Sequence, residues 1–131
     1  MAKVKGVDET IKRMKKFAND VQKAIIDGMD ESTRIVLRTA REIVPVDTGK
    51  LQSSMRRKIT RKRVWFTGTV GAYTKYAYYV EFGTSKMAAK PYLWPSVTRN
   101  RDYIFQLLGR HLEHAIEKND YSGRLMRKRL I

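Results

Sequence analysis

The chain contains no cysteine and only three prolines, Pro45, Pro91 and Pro95, among its 131 residues. Without thiols there is neither a disulfide nor a thiolate metal site, and nothing calls for an oxidising compartment. Histidine is almost as scarce: His111 and His114 are the only two. Three residues apart, they can share one helix face, near Glu113 and Glu117. Yet the His-Glu-x-x-His spacing of a zinc helix is missing and no third ligand is evident. A Ser-His-acid triad would have to draw Ser53, Ser54, Ser85 or Ser96 onto that same helix, and no glycine-rich phosphate loop is present. No apolar run approaches the ~20 residues that cross a bilayer, and no signal-peptide pattern appears, so no membrane association and a cytoplasmic site of synthesis are expected. Acid is absent from a long stretch as well: between Asp47 and Asp102 the one carboxylate is Glu81, against twelve Lys and Arg. Paired carboxylates for general acid–base work are therefore missing there. The sequence reads as that of a non-enzyme, without cofactor or metal.

What is present is positive charge. The net charge is +15, with 31% charged and 42% hydrophobic residues. This suits a globular protein that meets nucleic acid, an anionic surface or the acidic face of another protein. The length fits one domain with a real core, expected over residues 1–120, followed by a basic tail or docking arm over 121–131. That tail carries Arg127, Lys128 and Arg129 among leucines.

Along the chain, Ile11, Met14, Phe17 or Ala18, Val21, Ile25, Gly28, Ser32, Val36, Ala40 and Ile43 recur at steps of three and four. They predict a helical stripe from an Asp8 N-cap to Val44, where Pro45 stops it. At ~1.5 Å per residue it would be roughly 50 Å long. Either it bends or breaks at Gly28, or one end lies on another subunit. Asp47, Thr48 and Gly49 predict a turn that caps a short helix or enters a strand. Met55–Thr60 and Val64–Ala72 read as two strands around an exposed turn at Arg61–Arg63, a hairpin with a basic tip. Arg56, Arg57, Lys58, Arg61, Lys62 and Arg63 are the candidate contacts to DNA or an acidic neighbour, with Arg127, Lys128 and Arg129. Tyr76–Phe82 is expected to be a short helix that Gly83 ends in a left-handed conformation. Thr84–Ala89 should be an exposed loop and Pro91–Pro95 extended, since residues before proline avoid the helical region. A last helix runs from about Ser96 to Asn119, with Val97, Ile104, Leu107, Leu108, Leu112, Ala115 and Ile116 on one stripe.

Glu81, flanked by Val80 and Phe82, needs a partner if buried: a nearby Arg or Lys, or backbone N–H groups at a turn. A structural pair is expected there rather than catalysis. Trp65, Tyr73, Tyr76 and Tyr78 are placed in the core in preference to serving as platforms for single-stranded nucleic acid.

Three phrases in order carry a resemblance: Pro45-Val46-Asp47-Thr48-Gly49-Lys50-Leu51, then Tyr76-Ala77-Tyr78-Tyr79-Val80-Glu81-Phe82-Gly83-Thr84, then Pro91-Tyr92-Leu93-Trp94-Pro95. Together, over roughly Ile11 to Ile116, they resemble the neck, or head–tail joining, proteins of long-tailed bacteriophages, also called minor tail components. The resemblance implies an α+β subunit with a long N-terminal helix and a final helix, while the basic hairpin turn and the tail after Asn119 lie outside its pattern. With the hairpin read from the residues, the expected fold is a long N-terminal helix, a small antiparallel sheet with a basic hairpin, and a C-terminal helix packed on the sheet. The resemblance also implies a virion protein made in the host bacterial cytoplasm. Hexameric or dodecameric rings of it would join the portal side to the tail around the DNA channel. Partners would be other copies of itself, a head-closure or portal-side protein, and a tail terminator or tail-tube protein, with DNA in the channel. The motif positions it singles out are Pro45, Asp47, Thr48, Gly49, Leu51, Tyr76, Tyr79, Glu81, Gly83, Thr84, Pro91, Leu93 and Pro95. A small nucleic-acid-binding module is the alternative.

Overall fold

The computed structural model describes residues 6–46 and 49–119. Six elements follow one another: α1 (Val7–Ile43), α2 (Lys50–Ser53), β1 (Arg56–Lys62), β2 (Trp65–Gly71), α3 (Ala77–Phe82) and α4 (Leu93–Lys118). The class is α+β, with one two-stranded antiparallel sheet. Asp47, Thr48 and the tail with Arg127, Lys128 and Arg129 lie outside the described residues.

The organising element is α1, 37 residues in one run, about 55 Å at ~1.5 Å per residue. A break at Gly28 does not occur. A Cβ at Gly28 would stand 2.7 Å from Leu108 Cδ2, so the glycine admits α4 at close range. Asp8 is not the cap either. Gly6 holds that position at φ 90°, and Asp8 and Glu9 fall in the first turn, where negative charge suits the helix dipole. At the other end Val44 turns extended (φ −56°, ψ 136°) ahead of Pro45.

The second long helix, α4, starts at Leu93 instead of Ser96. The expected extended geometry through Pro95 fails because Pro95 is the third helical residue, where its missing N–H removes no bond. α4 runs antiparallel along α1. Asn100 Nδ2 donates to Thr39 Oγ1 (2.9 Å), His111 Nε2 lies 3.2 Å from Glu31 Oε2, and Asn119 Nδ2 donates to Asp20 Oδ2 (2.9 Å). Its principal partner is thus α1, where the sheet was expected. The hairpin packs beside it on the same long helix. Two strands of seven residues offer little apolar surface, and a long helical stripe offers more.

Strand pairing runs from Arg56↔Gly71 to Lys62↔Trp65, which leaves Arg63 and Val64 as a two-residue turn. Arg61 and Lys62, expected in the turn, belong to β1. Arg63 takes φ 55°, as such a tight turn demands. Phe66, Gly68 and Val70 share one face of β2. A Cβ on Gly68 would meet Thr33 Cγ2 at 2.7 Å, so Gly68 lets the strand lie on α1. Arg57 fastens the hairpin further: its guanidinium donates to Asp30 Oδ1 at 2.6 Å.

That hydrogen bond from Arg57 holds the Asp30 carboxyl below its ordinary value. A lowered carboxyl pKa means stability that is present above the ordinary carboxylate range and lost as pH falls through the folded-state value. Asp30→Asn should therefore lower the melting temperature at neutral pH, with the gap to wild type closing on acidification. A pH series of thermal melts checks it; a gap independent of pH would remove the ion pair from the account.

The core sits where α1 ends. Ala40, Val44, Leu51, Met55, Ala77 and Tyr92 are buried together, drawn from five parts of the chain, with Leu37, Ile43, Val80 and Leu93 around them.

Candidate functional site

The motif phrases converge on this end of the molecule. After Pro45 the chain reverses, and Gly49 at φ 79° starts α2. This drops Leu51 into the core at 4% exposure. Two bonds fasten the reversal: Gln52 Nε2 donates to the Arg41 carbonyl (2.9 Å), and the Arg41 guanidinium donates to the Met55 carbonyl (3.0 Å).

Glu81 forms the second fastening. The α3 turn puts Ala77 and Glu81, four residues apart, on its inward side. The Glu81 carboxylate accepts three backbone N–H groups, those of Tyr92 (2.8 Å), Leu93 (3.0 Å) and Trp94 (3.0 Å). These are the N-cap and first two residues of α4. Of the two partners the sequence allowed, backbone N–H groups are the one used. Tyr92, fully buried, returns the connection: its hydroxyl donates to the Ala77 carbonyl (3.2 Å). Burial, and secondarily the Glu81 charge, raise the Tyr92 hydroxyl above its ordinary value of 10.0. A raised pKa leaves the stabilisation complete below that ordinary value and removes it as pH climbs through the folded-state value. Tyr92→Phe should cost about 1 kcal/mol at neutral pH for the lost bond. Its gap to wild type should shrink above pH ~10, where the unfolded tyrosine ionises. A gap that widens in alkali would contradict this.

The loop after α3 is exposed, as expected, but tied to itself. Thr84 N–H donates to the Met87 carbonyl (2.8 Å) and Met87 N–H returns to Thr84 (3.3 Å), while Thr84 Oγ1 accepts from Lys86 and Met87. Lys90 N–H then donates to the Val80 carbonyl (2.8 Å), bringing the chain back to α3. Gly83 exits at φ 77° and ψ 174°. That is positive φ, but not the left-handed helical conformation expected of it.

Of the basic candidates, Arg56, Lys58, Lys62 and Arg63 are exposed. Arg57 is engaged with Asp30, and Arg61 lies over the Phe66 ring at 5.4 Å from its centroid. The aromatics depart furthest from expectation. Trp65, Tyr73, Tyr76 and Tyr78 are surface residues, exposed by 73%, 66%, 41% and 65%. A six-residue helix has one inward side, which Ala77 and Glu81 fill. Tyr79, Phe82 and Trp94 are exposed too, and Tyr78 packs against Phe82 in a tilted pair with centroids 4.7 Å apart. Tyr78, Phe82, Trp94 and Val97 rim a hollow of about 500 Å³ beside the Glu81 lock. Its one carboxylate already accepts three N–H groups, and the remaining described walls are mostly apolar. Sequence reasoning missed this surface; its one signal was the crowding of aromatics into a basic segment. His111 faces Glu31, and no group of three or more His, Asp and Glu able to hold a metal occurs among the described residues. No described helix is long and apolar enough to cross a membrane.

No curated protein and no solved structure matches the chain. The sequence profile of the family described as "Bacteriophage HK97-gp10, putative tail-component" matches residues 8–83. The match runs from the first turn of α1 to the glycine that ends α3, and so includes the first phrase and all but the last residue of the second. Pro91, Leu93 and Pro95 lie beyond it. Covering more than half of the sequence, the match places this chain in that family of bacteriophage tail components.

Proposed function

We propose that this tail component is a structural ring subunit of the head–tail connector or neck. Copies surround the channel through which DNA leaves, between a head-closure or portal-side protein and a tail terminator or tail-tube protein. The observation that carries the reading is how much apolar surface one copy leaves bare. Among the described residues, ten hydrophobic side chains are buried, while eighteen large ones are exposed, including Phe17, Trp65, Phe82, Trp94 and Phe105. Where such residues adjoin, as Tyr78, Phe82, Trp94 and Val97 do around the hollow, bare apolar surface marks an interaction site. The fasteners at Glu81, Tyr92 and Gly83 hold that surface in one shape. Ring contacts are heterologous, one face against a different face of the next copy, and the exposed start of α1 and the Thr84–Ala89 loop are assigned to them. Its place is the virion, and the work is assembly without a chemical step.

The basic hairpin supports a second reading, a nucleic-acid-binding module. Arg56, Lys58, Lys62 and Arg63 stand free with Trp65 beside the turn, a charged tip with a stacking side chain. In the ring reading the same tip faces channel DNA or an acidic neighbouring ring. Co-expression with the neighbouring neck proteins, followed by light scattering and negative-stain imaging, is the test, alongside a DNA titration at two salt concentrations. Rings of defined size support the proposal. A strict monomer whose DNA affinity falls steeply with salt overturns it in favour of the second reading.

A further inference from the structure

From Val7 to Phe17 the core-facing stripe of α1 continues with no other described element packed on it. Val7, Ile11, Met14 and Phe17 are exposed by 47%, 45%, 66% and 41%, although they lie on the stripe that Ser32, Val36 and Ala40 bury further along. α4 ends level with Asp20, where Asn119 bonds to it. A second surface is bare elsewhere. The hairpin and α4 both pack on α1 rather than on each other. The groove between them, about 430 Å³, is lined by Met29, Val36, Val70, Val97, Ile104 and Leu108 among others. Among the described residues, no charged side chain lines it. It opens toward the aromatic hollow, with which it shares Leu93 and Val97.

We infer that the Val7–Phe17 stripe of one copy occupies the β2–α4 groove of the next. This rests on the ring reading and names its contact. Three arguments select a second copy as the occupant. The stripe is about 15 Å long and the groove, from Val97 to Leu108, about 17 Å, at ~1.5 Å per residue. The chain's own residues 120–131 would bring Arg124, Arg127, Lys128 and Arg129 against Lys12, Arg13, Lys15 and Lys16, like charge on like. And the groove, with no charged side chain among its described lining, sets no like charge directly against the Lys12, Arg13, Lys15 and Lys16 flanks of a neighbour's helix. The contact is small. Four apolar side chains remove roughly 400 Å² per copy, about half the ~800 Å² per partner of a stable pair. Isolated subunits should therefore stay apart when dilute and hold together once ring closure lets each copy make the contact twice.

The absence of cysteine makes a direct test possible. In the full chain, Met14→Cys and Val97→Cys introduce the sole two thiols, both at exposed positions. Within one copy they are roughly 40 Å apart along the helices, far beyond the ~7 Å Cα limit of a disulfide, so any bond joins copies. Under mild oxidation the double variant should give a ladder of dimers, trimers and larger species on a non-reducing gel, with no product beyond dimer from either single variant. If wild-type rings form with the neck proteins but the double variant gives no ladder, the groove assignment falls and the ring reading stands. If neither rings nor ladder appear, both fall. A Met14→Cys, Leu125→Cys pair closing a disulfide inside a monomer would hand the stripe to the chain's own tail. Linkage of Met14→Cys to a co-expressed tail protein in place of another copy would hand it to that partner. Either result overturns the inference.

Discussion

Replacing Glu81 by alanine should cost about 3–5 kcal/mol of folding stability, the largest single effect expected in this protein. A helix begins with four backbone N–H groups that no earlier turn can accept. In α4 those belong to Tyr92, Leu93, Trp94 and Pro95. Glu81 Oε2 accepts the first two, Oε1 accepts the third, and the fourth residue is a proline without a proton to donate. Every orphan of that helix end is accounted for by one side chain and one imino acid. The carboxylate also places negative charge at the positive end of the helix dipole. Hydrogen bonds to a charged group contribute about 1.5–3 kcal/mol each. The three share one acceptor and do not add fully, so the sum is held near the lower part of its range. Removal strands N–H groups beside Tyr92, which is wholly buried, and water reaches them poorly. Against a total stability of about 5–15 kcal/mol such a loss is severe.

Glu81→Gln separates shape from charge. The amide keeps one acceptor oxygen but turns an NH₂ toward at least one N–H donor. About 2 kcal/mol is expected, between wild type and alanine. Urea unfolding of all three chains reads the order directly. Alanine within ~1 kcal/mol of wild type would show that α4 needs no such cap. Because Glu81 and Tyr92 form one network with α3, Glu81→Ala combined with Tyr92→Phe should be less harmful than the two separate losses added together.

How much of this was legible beforehand differs by element. The helices were, because their evidence is local: the α1 stripe, Pro45 as its stop, and the α3 aromatics closed by Gly83 need no knowledge of the rest. Glu81 was half legible. A lone carboxylate between Val80 and Phe82 in a basic segment announces a partner, but backbone N–H groups carry no residue code. Nothing in the sequence singles out Tyr92, Leu93 and Trp94 as the donors. Pro95 misled, since the bias of residues before proline away from the helix is weaker than proline's fitness for a first turn. The aromatics misled most. Trp65, Tyr78, Phe82 and Trp94 are what a core or an assembly surface would both use, and composition does not distinguish the two. The hairpin's placement on α1 depends on Gly68 meeting Thr33 and Arg57 meeting Asp30, contacts of long sequence separation that no window contains.

Gly83→Ala should be the second most damaging change, at about 3 kcal/mol, through a different mechanism. At φ 77° and ψ 174° the residue occupies a backbone region essentially closed to residues with a Cβ, which costs about 1–3 kcal/mol. Space is lacking as well. An added Cβ would lie 2.7 Å from the Ala89 amide nitrogen and 3.0 Å from the Met87 carbonyl oxygen. Both are backbone atoms of a loop pinned by the Thr84–Met87 bonds and by Lys90 to Val80, so neither can swing aside as a side chain would. The entropy that alanine removes from the unfolded chain returns at most ~1 kcal/mol. Gly49 is the matched control. It also has positive φ, 79°, but ψ is −3° and a Cβ there meets nothing within 4 Å. Gly49→Ala should therefore show only the left-handed penalty of about 1–2 kcal/mol. The urea midpoints should fall in the order wild type, Gly49→Ala, Gly83→Ala, at equal m-values. Amide exchange at Lys90 should accelerate in Gly83→Ala alone, because its bond to Val80 crosses the strained loop. Equal midpoints for the two variants would mean that the loop yields to the methyl group. The Thr84–Ala89 surface would then be soft, and its shape would not be fixed by the chain's own backbone.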